Sequence, residues 1–420
     1  MKKNNNIELM APAGGWDSLS AAIRAKADSI YFGIENLNMR SRASANFAIE
    51  DLDKIVKKCK RCGVRSYLAL NTLIYNKDLC EMRKICDAAK EASVTAIIAS
   101  DISVITYAHS IGIPVHISVQ ANVSNIEAVR FFAQFADVMV LARELRIEEI
   151  RDIILQIQKD KIKGPSGELV RIELFAHGAL CVSVSGKCYM SLATYNTSAN
   201  RGECYQNCRR KYRVIDEDSG EELVIENKYV MSPKDICTLR VLDKIADTGV
   251  SILKLEGRGR SADYVYTITS AYKEALDAYS KDSFKEADFA KLEKELATVF
   301  NRGFWHGGYY LGEESDMWSG FSGNRATLKK IHLGHVTNYF SKIGVAEILL
   351  KAGDLNIDDL ILFTGNTTGS FKCKVKNIRF QGAEVESAQK GSLVSIKVDS
   401  KVRHNDKLYL LKTSEPIEEE

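Results

Sequence analysis

Between residues 7 and 257 the chain alternates eight times between two kinds of segment, and this rhythm restricts its fold more than any other feature. Short runs rich in aliphatic and β-branched residues read as strands. They are IELMAPA (7–13), SIYFGI (29–34), RSYLALNT (65–72), AIIAS (96–100), VHISV (115–119), DVMVLA (137–142), RIELFAHG (171–178) and SILKLEG (251–257). Between them lie stretches such as DSLSAAIRAKA, IEDLDKIVKKCKRC and NIEAVRFFAQF, with apolar residues at the i, i+3, i+4 spacing of a helix buried on one face. Short buried strands joined by helices pair in parallel. Eight such units predict an α/β fold, a (β/α)8 TIM-like barrel over residues 1–280, rather than an open doubly wound sheet. The glycine fingerprint of the open sheet is missing, since PAGG at 12–15 is a tight turn.

A barrel of this kind carries its chemistry at the C-terminal ends of its strands. The residues expected there are polar: Asn71, Asp101, Gln120, Arg143, Glu144, His177, Glu256 and Arg258, with Arg40 and Arg42 in the loop after the second strand. Four arginines converging on one rim suit a ligand bearing carboxylates or phosphates. Asp101, His177 and Glu256 are the candidates for proton transfer.

The seventh and eighth strands are separated by about 70 residues, where a βα loop of roughly 2–6 residues plus its helix would be usual. The excess, an insertion over 179–240, contains Cys181, Cys188, Cys204, Cys208 and Cys237, five of the ten cysteines. The spacing is C-x6-C, then C-x3-C after fifteen residues, then a lone cysteine. Paired C-x2-C knuckles of structural zinc do not occur in this segment. Irregular spacing without interleaved histidine suits an iron–sulfur cluster, and Gly186 and Gly202 are placed where backbone must turn tightly against it. Cys59, Cys62, Cys80 and Cys86 fall on expected exterior helices and read as structural, and Cys373 in a late strand implies nothing.

At ELFAHGALCVSVSGKCYMS and MSPKDICTLRVLDKIADTGVSILKLEGRGRSADYVYTITSAYKEALDAY, the chain resembles peptidase family U32, over about residues 7 to 310. The resemblance implies a (β/α) barrel with a [4Fe–4S] cluster, and it is strongest to the prephenate-dependent tRNA uridine hydroxylase branch. That branch implies 5-hydroxyuridine formation at the wobble position without molecular oxygen, with prephenate as co-substrate and a tRNA anticodon loop as partner. It also implies Cys181, Cys188, Cys204 and Cys208 as cluster ligands, with Cys237 a substitute for Cys208 because quinone-modifying relatives take a ligand from downstream. Arg40, Arg42, Arg143 and Arg258 would then meet prephenate carboxylates or RNA, alongside Asn71 and Gln120. The alternatives are a collagenase-like peptidase and a ribosomal RNA hydroxylase. No H-E-x-x-H or G-x-S-x-G motif favours the peptidase.

An RNA surface is suggested by RGECYQNCRRKYR (201–213), where Arg201, Arg209, Arg210, Lys211 and Arg213 face one acid, Glu203, and Tyr205 and Tyr212 are interleaved for base stacking. Net charge is only +3, so a polyanion must be met by such local patches. After a helix at 286–299 comes an aromatic and glycine-rich strap to about residue 330, with Trp305, His306 and Tyr309. From 331 to 415 the period becomes two, predicting a small all-β barrel similar to the second domain of elongation factor Tu. The acidic tail 416–420 is expected to fray. No segment has signal-peptide or membrane-span character, so a cytoplasmic location is expected.

Overall fold

The computed structural model describes residues 7–35, 37–42, 46–223, 231–306, 318–320 and 323–414. Seven parallel strands, β1 (Glu8–Ala13), β2 (Ser29–Phe32), β3 (Arg65–Ala69), β4 (Ala96–Ala99), β5 (Val115–Ile117), β6 (Val138–Val140) and β7 (Arg171–Ala179), run in sequence order. The eighth, β8 (Ile252–Leu255), pairs in parallel with both β7 and β1, which closes the barrel. Around it lie α1 (Trp16–Arg24), α2 (Leu52–Arg61), α3 (Leu79–Glu91), α4 (Ile102–Ser110), α5 (Ile126–Phe132) and α6 (Ile147–Lys159). Strand alternation divides the wall into two faces. Leu9, Ile30, Leu68 and Ile97 join the helices in one large core, while Met10, Tyr31, Tyr67, Ile98 and Val138 form a separate inner cluster.

Most strands stop one to three residues before the apolar runs that announced them: β3 ends at Ala69 instead of Thr72, β8 at Leu255 instead of Gly257. The ladder ends where the chain turns outward, and the residues left over form the rim of the barrel. An apolar run records burial, which continues past the last ladder hydrogen bond. Only β7 exceeds its expected length, because the insertion returns as the short strand Asp235–Cys237, antiparallel to His177–Ala179. Phe304–Trp305 then pairs with Asp235–Ile236. Within the insertion α7 (Met190–Tyr195) is followed by a hairpin, Val214–Ile215 with Glu222–Leu223. α8 (Leu242–Ala246) leads to β8, and α9 (Ala262–Ser280) and α10 (Glu286–Ala297) complete the helical layer.

The C-terminal part is all β, with its own core around Leu333, Ile348, Phe363, Val394 and Leu408. Its first strand, β9 (Leu328–Phe340), pairs with Val345–Leu350 on one side and Lys407–Thr413 on the other. The run FKCKVKNIRF (371–380) belongs to two strands, Gly369–Lys374 and Ile378–Phe380, with the buried Val375 at the break. This domain docks on α1. Ser20 Oγ lies 2.5 Å from the Asn366 carbonyl, and Arg24 stacks 5.0 Å over Phe371. Gly369, at φ +72°, lies so close that a Cβ there would come within 2.6 Å of the Ala21 nitrogen.

Candidate active site

The insertion folds back over the open end of the barrel and encloses a cavity of about 140 Å³. Its floor comes from strand ends, with Tyr31 from β2, Phe175 from β7 and Lys254 from β8. Its wall comes from the rim, with Asn71, Gln120, Arg143, Glu256 and Arg258. Of the ligand-binding residues expected from sequence, Asn71, Gln120, Arg143, Arg258 and Arg40 line the cavity, whereas Arg42 is exposed outside it.

Glu256 organises the charges. Arg40 donates two hydrogen bonds to its Oε1, at 3.0 Å from Nε and 2.9 Å from Nη2, and the Tyr31 hydroxyl donates to Oε2 at 2.9 Å. Burial alone would raise this carboxyl, but the Arg40 and Arg258 charges override it and hold the pKa at about 2. Arg258 is 4% exposed and donates to Asn38 Oδ1 at 3.0 Å. Beneath them Lys254 Nζ lies 2.8 Å from the buried Glu173 and 4.5 Å from the centre of the Tyr31 ring. Arg143 donates to Ser185 Oγ at 2.9 Å and lies over Phe175. Opposite the charges is an amide pair. Asn71 Nδ2 is 3.3 Å from Gln120 Oε1, and the Ser118 hydroxyl donates to the same oxygen.

Cys181, Cys188, Cys204 and Cys208 all line this cavity. Burial raises the Cys208 thiol to about 11, against the pull of Arg209, and the other three sulfurs raise it further. Cys188 is raised by burial and then by Cys181 and Cys204. Asn200 clamps the backbone of Cys188, accepting from its N–H and donating to its carbonyl, each at 3.3 Å. Among the described residues no three His, Cys, Asp or Glu groups lie close enough to share one metal ion. Gly186 and Gly202 are left-handed (φ +73° and +90°), but what they approach is protein: Gln120 and the Asn38–Ser41 loop.

Cys237 stands apart. It is fully buried in the core between barrel and helices, 3.9 Å from the Tyr272 hydroxyl, with its thiol pushed up to about 12 by burial. Two of the three proton-transfer candidates also lie away from the cavity. His177 is 2% exposed and packed among Tyr272, Tyr264 and Phe304, with burial lowering its pKa to about 3, so it is neutral and faces the core. Asp101 is the N-cap of α4, accepting from the Ser103 N–H and hydroxyl and from the Ile74 N–H. The rim register that brought them to strand ends is correct; the side chains point elsewhere. Glu256 alone of the three reaches the cavity, and at its depressed pKa it is an acceptor.

The basic stretch 201–213 divides similarly. Arg201 is tied down, paired with Asp78 at 2.7 Å and bonded to the Leu73 carbonyl. Arg209 is held by the Leu180 and Pro233 carbonyls and Ser232, and burial lowers its pKa to about 10. Arg213 pairs with Glu222. These three fasten the insertion. Tyr205 behaves as a surface group: it stacks on Tyr195 with ring centres 4.5 Å apart, Arg42 lies 3.7 Å from its centre, and Arg210 lies over Tyr195. Lys211 is exposed, and Tyr212 donates to the Asn207 carbonyl. In the strap, Trp305 is buried and His306 bonds Glu293 at 2.7 Å, so neither faces the cavity; Tyr309 and the tail 416–420 lie outside the described residues.

Tyr31, Lys254, Ser118, Ser185 and Asn200 belong to the site and escaped sequence reasoning. Lys254 had a signal: a lysine inside an apolar strand, ILKL, needs a buried partner.

A model of peptidase family U32 matches residues 14–320. A protein named collagenase from Porphyromonas gingivalis is 53% identical over 96% of this chain and 98% of its own. A tRNA hydroxylation protein P1 from Bacillus subtilis is 33% identical over 66% of this chain and 64% of its own. A 23S rRNA 5-hydroxycytidine C2501 synthase from Escherichia coli is 32% identical over 66% of this chain and 40% of its own. Among the described residues no helix is long and apolar enough to cross a membrane.

Proposed function

The chain belongs to peptidase family U32, and on that premise we propose that it is an RNA-modifying hydroxylase. Its product would be 5-hydroxyuridine at the wobble position of tRNA, made without molecular oxygen and with prephenate as co-substrate. The observation that carries the reading is the convergence of four cysteines and an arginine–carboxylate cluster on one small cavity at the barrel mouth.

What supports a metal–thiolate centre is the donor set: four cysteines line one cavity. Cys181, Cys188, Cys204 and Cys208 would hold a [4Fe–4S] cluster, whose binding requires thiolates, and burial raises the Cys188 and Cys208 thiols against that deprotonation. When bound, such a cluster supplies one-electron redox chemistry beside the cavity. The remaining work belongs to the chain. Asn71 and Gln120 offer both donors and acceptors, as the edge of a uracil requires. Arg40 and Arg143 suit the carboxylates of prephenate, and Glu256 keeps Arg40 charged and oriented. A base must leave its stack to enter, which costs little in an anticodon loop.

A peptidase reading is favoured by the name of the 53% identical relative. Against it, no histidine lines the cavity among the described residues, and His177, four positions before Cys181, is packed in the core against Tyr272. One preparation decides between the two. Anaerobically reconstituted protein, given unmodified tRNA and prephenate, is expected to form 5-hydroxyuridine detectable by nucleoside mass spectrometry and to leave gelatin intact. Gelatin cleavage with unchanged tRNA would overturn the hydroxylase; hydroxylated cytidine in ribosomal RNA, with unchanged tRNA, would move the substrate.

A further inference from the structure

Beside the cavity lies a second space of about 180 Å³ that shares Cys204, Cys208, Arg40 and Arg143 with it and adds Arg209, Arg260 and Arg302. That space in turn shares Gly259 and Arg260 with a groove of about 980 Å³ between the barrel and the C-terminal domain. The groove is lined by five cations, Arg260, Arg325, Lys329, Lys330 and Lys372, against one acid, Asp263. An excess of four positive charges in one groove exceeds the net +3 of the whole chain, so it is a local concentration and not an average property.

The parts are arranged for an anion. Arg260, the hinge between the two spaces, lies 3.5 Å over the Phe300 ring, which holds its guanidinium plane at the junction. The 19-residue helix α9 begins at the groove, and its N-cap Ser261 makes no side-chain cap; its hydroxyl accepts from Lys330 instead. The positive end of that helix therefore adds to the field. Lys372 comes from the C-terminal domain and donates to Thr298 of the barrel part, so both domains build the groove.

We propose that this groove is the track for the phosphate backbone of the RNA whose base occupies the cavity. The inference rests on the RNA reading of the cavity and adds a role for the C-terminal domain. Only one base enters the cavity, while the flanking nucleotides need a continuous cationic path. Arg143 and Arg260, and then Lys329 and Lys372, provide one.

The test uses the full chain with two fluorescent probes, a synthetic anticodon stem-loop RNA and a trinucleotide with a central uridine, over a salt titration. Replacing Lys329→Gln and Lys372→Gln together is expected to weaken stem-loop binding on the order of 10-fold and to flatten the salt slope by roughly 1.5, the loss of two phosphate contacts. Trinucleotide binding is expected to stay unchanged. Lys329 is exposed, so Lys329→Gln alone, with about half the effect on the slope, guards against misfolding of the double variant. If the wild type binds the stem-loop and both variants bind it equally well with the same slope, the track is wrong and the cavity reading stands. A wild type that binds neither probe overturns the RNA reading itself. Poly-glutamate that displaces the stem-loop charge for charge would overturn RNA in favour of an acidic polypeptide.

Discussion

Glu256→Gln is the most informative single change in the site. In the wild type the Glu256 carboxylate is the shared acceptor of Arg40 and the Tyr31 hydroxyl, with Arg258 close by and its side chain 15% exposed. Its pKa lies at about 2 in the folded chain against an ordinary 4.5. That depression of about 2.5 units corresponds to about 3 kcal/mol of stability from the ionised form. The same size follows from the cost of leaving a buried charge without its partner, about 3–5 kcal/mol. Because the folded pKa is lowered, this stability is fully present above the unfolded value and is lost as pH falls through the folded one. The gap between wild type and Glu256→Gln should therefore be about 3 kcal/mol at pH 7 and roughly half of that at pH 3. Urea unfolding followed by circular dichroism at the two pH values measures it. A gap under about 1 kcal/mol at pH 7, or one that does not shrink on acidification, would refute the claim that the arginines hold this carboxylate charged.

Other perturbations separate the remaining assignments. Cys208→Ser should lower the iron bound after anaerobic reconstitution, whereas Cys237→Ala should leave it unchanged; equal losses would return Cys237 to the ligand set. Tyr205→Ala removes the ring between Arg42 and Tyr195 and should weaken RNA binding by about 1–3 kcal/mol, read by anisotropy. His177→Gln should leave the pH profile of hydroxylation unmoved across the neutral range, since the wild-type ring is already neutral there. Gly369→Ala pushes a Cβ against the α1 backbone at a left-handed position and should destabilise domain docking by about 1–3 kcal/mol, seen as faster proteolysis between the domains.

The sequence carried the architecture because burial is written in periodicity. Eight apolar runs separated by amphipathic stretches suit a closed ring of parallel strands, and β1 to β8 fall on those runs, with β7 passing the end of its run by one residue. The cysteine-rich insertion was legible for the same reason, as an interruption too long for a loop. Which rim residues face the cavity was not legible. His177 and Asp101 sit at strand ends as expected, but one rotates into the core beneath Tyr272 and the other turns back to cap a helix. Charge counts did not show that Arg201 and Arg209 are bound to their own chain and Arg213 to Glu222, since a guanidinium that binds phosphate and one that binds its own chain look alike until the partners are placed. Lys254, Tyr31 and Asn200 became site residues only through contacts with groups far away in the chain, such as Glu173, 81 positions from Lys254. Sequence alone determined what must be buried and in what order along the chain. The tertiary structure decided which polar groups meet, because a hydrogen bond or ion pair depends on side-chain direction and distance across the fold, and neither has a period.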